Sequence, residues 1–135
     1  MPSQAIEIHD SAIDRITMEG GSALIHFPLV NIHRSIGTLF EDAGTVWTQE
    51  ALLRITGAQV EGAFTAALQV WGGDIIYLYG GALRIGEVIS NNLIPLPLEV
   101  IADVELTIES CGETVCVHGT SARLELIGEA KLHQS

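Results

Sequence analysis

Five histidines, seventeen carboxylates and two cysteines are the residues of this chain that could do chemistry, and their spacing decides which chemistry that would be. The histidines are His9, His26, His33, His118 and His133. None has the H-x-x-x-H spacing of a helical metal site or the H-x-H spacing of a strand site. His26 and His33 are an odd interval apart, which sends them to opposite faces of an unbroken strand, and Pro28 lies between them. A folded meeting of His9, Asp10 and His33 is the arrangement that would bind a divalent ion and serve a metal-dependent hydrolase. With no recognisable ligand spacing, neither a metal nor a cofactor is expected. His9-Asp10-Ser11 holds the three residue types of a nucleophilic triad, but neighbours along a strand point apart and cannot form the relay. Asp10 or Ser11 is expected to end the first strand and cap a turn. No G-x-S-x-G elbow, G-x-G-x-x-G loop or Walker lysine occurs.

The clearest strand runs from Leu98 to Glu109. Val100, Ala102, Val104, Leu106 and Ile108 form one face, and Glu99, Asp103, Glu105, Thr107 and Glu109 the other, interrupted by Ile101. Carboxylates left in water keep ordinary proton affinity and make poor general acids near neutrality. The row Glu99, Asp103, Glu105 and Glu109 therefore reads as a solvated face and, functionally, as a surface for a partner. Among the few aromatics, Tyr77 and Tyr79 share one face of a strand. With Trp47 they are the candidates to line a pocket for a small apolar ligand, cross-strand packing being the plainer reading. Cys111 is placed in a turn and Cys116 in the strand after it, so the two are expected to be free thiols of a cytoplasmic protein.

Composition bounds the partners. The chain has 135 residues, 47% hydrophobic and 17% charged, which excludes a disordered polymer and suits one domain spanning residues 1–135. Six Lys and Arg face seventeen Asp and Glu, for a net charge of −11. Arg15, Arg34, Arg54, Arg84 and Arg123 are scattered, with Lys131 the one lysine, so no basic patch forms for nucleic acid or anionic lipid. A basic protein partner suits this charge. The apolar surplus suggests a homodimer interface. No uninterrupted apolar run reaches membrane-span length, and no basic segment precedes an apolar one, so neither a membrane anchor nor a secretory signal is expected.

The elements that must position these residues are read from branching and turns. Ile is the commonest residue and glycine pairs recur, the signature of an all-β fold. An antiparallel β-sandwich or β-barrel of about eight to ten short strands with at most one short helix is expected. Glu19-Gly20-Gly21-Ser22 and Gly80-Gly81 are read as hairpin turns. Thr114–Gly119 and Ala122–Ile127 are read as two strands that complete a meander with 98–109. Residues 46–60 are favoured as a long strand interrupted at Gly57, although Thr48 could cap a helix. Gly62–Trp71 is left between helix and strand. Gly37–Gly44 reads as an irregular loop with an apolar tip at Leu39-Phe40.

The opening His9-Asp10-Ser11-x-Ile13, the hairpin after it and Asn92-x-Ile94-Pro95-Leu96-Pro97 resemble small all-β domains of unknown function from bacterial genomes. That resemblance implies a bacterial, cytoplasmic origin and transfers no catalytic residue. Three functions remain open: a non-enzymatic binding or interaction domain, such as an acidic immunity-type protein that covers a basic partner; a barrel holding a small apolar ligand; and the metal-dependent hydrolase.

Overall fold

The computed structural model of the chain describes residues 3–35, 44–62, 75–110 and 112–134. They form eleven strands: β1 (Ser3–Ile13), β2 (Arg15–Glu19), β3 (Ser22–Ser35), β4 (Gly44–Thr56), β5 (Gln59–Glu61), β6 (Ile76–Tyr77), β7 (Gly80–Ile85), β8 (Val88–Asn91), β9 (Leu93–Leu96), β10 (Glu99–Ser110) and β11 (Glu113–Gln134). All pairings are antiparallel, in the order β6-β1-β3-β4-β11-β10-β7-β8, with β2 beside β3, β5 beside β11 and β9 beside β1. The sheet is strongly curled into a half-barrel. Residues 76–96 run between its ends, pairing with β1 through β6 and β9 and with β10 through β7. Among the described residues, no helix is long and apolar enough to cross a membrane.

Alternation places the core. Val104, Leu106 and Ile108 of β10 are buried while Glu99, Ile101, Asp103 and Glu109 are exposed, as a two-residue period requires. Ile6, Ile8, Ile25, Phe27, Val30, Ile32, Leu53, Ile55 and Val117 complete the apolar inner face. Gly20 (φ 58°) and Gly21 (φ 81°) both take the left-handed backbone that a two-residue β2–β3 turn demands, so this hairpin forms where its glycines place it. Thr48–Arg54 lies within β4, and Gly57 interrupts the run before β5.

Several elements differ from the sequence reading. Thr114–Gly119 and Ala122–Ile127 are one strand, β11, whose first half pairs with β10 and whose second half pairs with β4. Gly119 is a site of close approach, not a break: a Cβ there would lie 2.4 Å from Ile55 Cγ2 and 2.6 Å from the Thr56 carbonyl oxygen. Gly80-Gly81 likewise opens β7 and makes no hairpin, because a Cβ on Gly81 would sit 2.0 Å from the Thr107 carbonyl oxygen of β10. The turn falls instead at Gly86-Glu87, between the paired Ile85 and Val88. Asp10 and Ser11 do not end β1, which continues to Ile13. Cys111, residues 37–43 with their Leu39-Phe40 tip, and residues 63–71 lie outside the described residues. Cys116 is a free thiol beside Thr107.

Candidate functional site

The acidic row of β10 is placed on the outer face as expected, but its middle is not bare. Asp103 accepts from Arg84 at 2.9 Å and from the His118 ring at 2.6 Å. The Arg84 guanidinium first, and His118 second, hold the Asp103 carboxyl below the usual carboxylate range. Arg84 also lies 3.9 Å from Glu105, and Glu99 stands opposite Arg123 in the β10–β11 register. Glu109 is exposed at the other end, and Ile101, 94% exposed, interrupts the charges. The row is thus a partly compensated network with arginines and a histidine facing its acids.

The three aromatic candidates do not share a described depression. Trp47 packs against the core under the Arg34 guanidinium, 4.7 Å from its ring centre, and its indole N–H donates to Thr45. Tyr77 and Tyr79 are both exposed, on the outer side. Tyr79 reaches neighbouring strands through its backbone, donating to the Glu109 carbonyl and accepting from the His9 ring. Tyr77 borders a cleft.

That cleft, of about 430 Å³, lies on the outer face where β1 bulges. Glu7 pairs with Asn31, but the next registered pair is Ala12 with Leu29, so residues 8–11 of β1 stand against Val30 alone. The bulge turns Asp10 outward in the left-handed region (φ 66°), which aspartate and asparagine tolerate better than other residues bearing a Cβ. Its freed backbone groups find partners in the segment that crosses over. Asp10 N–H donates to the Leu78 carbonyl, Leu78 N–H to the Ser11 carbonyl, and Ile8 N–H to the Asn92 carbonyl. Asn92, also left-handed (φ 62°), accepts the His9 N–H through its side chain at 2.8 Å and donates to Glu7 at 3.5 Å. Asp10 and Asn92 are the two left-handed residues other than glycine among the described residues; Asp10 lines the cleft and Asn92 reaches its Glu7. Ser11 is buried, donating to the Glu7 carbonyl and accepting the Asn31 N–H, so it takes no part in a triad with His9.

Around the cleft, the His33 ring donates to Glu7 at 2.7 Å, Asn31 and Thr48 add polar groups, and Leu29 and Val46 add short apolar patches. Asp10 and Tyr77 complete the lining, which among the described residues includes no Lys or Arg. The His9 ring approaches Asp10 at 3.4 Å from the side. His9, Asp10 and His33 are therefore brought into one neighbourhood, yet among the described residues no group of three or more His, Cys, Asp or Glu side chains could hold a metal. What the arrangement offers is two carboxylates, amide and hydroxyl oxygens and an aromatic ring, which suits a cationic group.

A second polar cluster lies farther along the same face. His26 faces Asp14 at 2.6 Å through Nδ1 and Glu50 at 2.7 Å through Nε2. Only the protonated ring can donate to both. His26 and His33 share this face, which their odd interval would forbid in an unbroken strand, because β3 bulges at Pro28, the residue that already set that inference aside in the sequence. Phe27 and Val30 are both in the core, and the two residues between them shift the alternation by one. Pro28 signals that break in sequence. Glu7, Asn31 and Thr48 carried no such signal, and Asn92 showed only as the first residue of the Asn92-x-Ile94-Pro95-Leu96-Pro97 stretch. No family model, no curated protein sequence and no solved structure matches this chain, so its site is known by its own geometry and charge alone.

Proposed function

We propose that the chain is a non-enzymatic binding module whose outer-face cleft receives a cationic group, a lysine or arginine side chain, presented by a basic protein partner. The observation that carries this reading is the lining of the cleft: Glu7 and Asp10 with the exposed ring of Tyr77, His33 as the one imidazole, held by Glu7, and among the described residues no lysine or arginine. A guanidinium or ammonium there would exchange water for carboxylate oxygens and an aromatic face. The net charge of −11 supports the same partner, since it raises the encounter rate with a basic surface. An apolar ligand finds less support, because the inner face is occupied by the core side chains Phe27, Leu53, Leu83 and Leu106.

Titration calorimetry with an N-acetylated arginine amide and with the neutral citrulline analogue tests the proposal. Binding of the arginine probe that weakens with salt and is lost in the Glu7→Gln, Asp10→Asn double variant is expected. Equal heats for the charged and neutral probes would refute it.

A further inference from the structure

The cleft does not end at β3. A second depression of about 310 Å³ adjoins it, and Leu29 and Thr48 line both. Beyond that shared ridge the lining passes from Pro28 on β3 and Glu50 on β4 to Glu129 and Lys131 on β11. Lys131 stands opposite Thr48 and Ile127 opposite Glu50 in the β4–β11 register, which keeps the far depression on the same outer face. Resting on the reading of the cleft above, we propose that the two depressions form one groove for an extended basic segment of a partner protein, carrying two cationic residues about four positions apart.

The spacing follows from the sheet. From Glu7 and Asp10 on β1 to Glu129 on β11 the groove crosses three interstrand intervals, β1–β3, β3–β4 and β4–β11. Strands lie about 4.8 Å apart, so the crossing is roughly 14–15 Å, the length of about four residues of extended chain. Charge complementarity selects the occupant. Four carboxylates (Glu7, Asp10, Glu50 and Glu129) border the groove against Lys131, with His33 engaged by Glu7 and Glu50 by His26. The first cation enters between Asp10 and Tyr77, the backbone crosses the Leu29–Thr48 ridge, and the second cation meets Glu129.

Fluorescence anisotropy with three labelled peptides of equal length tests the groove. One carries two arginines separated by three β-forming residues, one carries the same two arginines side by side, and one carries a single arginine. The separated pair is expected to bind about fivefold more tightly than the adjacent pair at low salt, the increment of one further exposed ion contact. Glu129→Gln should abolish that advantage while the single-arginine peptide binds as before. Equal affinity for the two double peptides, or an advantage that survives Glu129→Gln, would overturn the groove and leave the cleft standing. Failure of every arginine peptide to bind would overturn both. A dimer in sedimentation velocity that the separated-pair peptide dissociates would place a second copy of the chain in the groove and would also overturn the proposal.

Discussion

Replacing His26 by alanine tests whether the outer face is held by polar pairing as well as by the core beneath it. His26 is 9% exposed and spans Asp14, just after β1, and Glu50 on β4, at 2.6 and 2.7 Å. A hydrogen bond to a charged group contributes about 1.5–3 kcal/mol when it is shielded, and much less when water can replace it. The Asp14 side chain is 21% exposed, so its bond belongs near the lower end of that range, about 1.5 kcal/mol. Glu50 is 44% exposed and rehydrates on losing the ring, which leaves about 0.5 kcal/mol for that arm. Lost packing of the ring adds about 0.5 kcal/mol, for a total of roughly 2–3 kcal/mol. With a urea slope of about 1.5 kcal/mol per molar, His26→Ala should lower the unfolding midpoint by about 1–2 M at unchanged slope. The companion measurement is a cycle with Asp14→Asn, which should cost about 1.5 kcal/mol in the parent and less than about 0.5 kcal/mol once His26 is gone. Equal cost for Asp14→Asn in both backgrounds would show that the 2.6 Å contact carries no coupling, and the reasoning would fail.

Asp103 gives a pH-dependent expectation. Its carboxyl is held low by Arg84 and His118, so its contribution is present above the ordinary carboxylate pKa and is lost as pH falls through the depressed one. Asp103→Asn should therefore be less stable than the parent at neutral pH, and the two should converge in acid, read as urea midpoints across pH. Gly81→Ala and Gly119→Ala should each cost at least about 2–3 kcal/mol, because the added methyl meets backbone oxygen of a paired strand at 2.0 and 2.6 Å, and thermal melts should fall by 5 °C or more. Asp10→Gly should leave stability within about 0.5 kcal/mol, since glycine accepts the left-handed backbone at φ 66°, while removing salt-sensitive binding of an arginine probe; Asp10→Val should be destabilised by about 1–2 kcal/mol through strain at that backbone.

The all-β class was legible because the alternation of β10 and the glycine pair between β2 and β3 are both local signals. Val104, Leu106 and Ile108 face the core by the same two-residue period that sets Glu99, Asp103 and Glu109 outward. The glycines were harder to read, because a glycine that opens a turn and a glycine that lets two strands approach have the same letter. Gly20 and Gly21 do the first; Gly81 and Gly119 do the second. Their role depends on Thr107 and Thr56, which are far away in the chain and become neighbours only when the sheet is assembled. The same property joined two expected strands into β11, where Thr120 and Ser121 carry no turn geometry of their own.

The candidate site was less legible for a related reason: it is built from departures from alternation. An unbroken β3 would put His26 and His33 on opposite faces, and one of them would point at Phe27 and Ile32 in the core. The bulge at Pro28 resets the phase, so both imidazoles reach the outer face and each finds a carboxylate there. In β1 the bulge of residues 8–11 does the same for Asp10, while Ile8 and Ile13 on either side remain in the core. Two irregularities in adjacent strands thus gather Glu7, Asp10, His33 and, across the sheet, Glu50 on one surface without taking an apolar residue from the interior. Acidic and apolar patterns read separately would never meet there. The bulges are what convert a period-two sequence into a polar cleft on the outer face, and that is why the groove proposed above lies on the surface and not in the interior, which the core side chains fill.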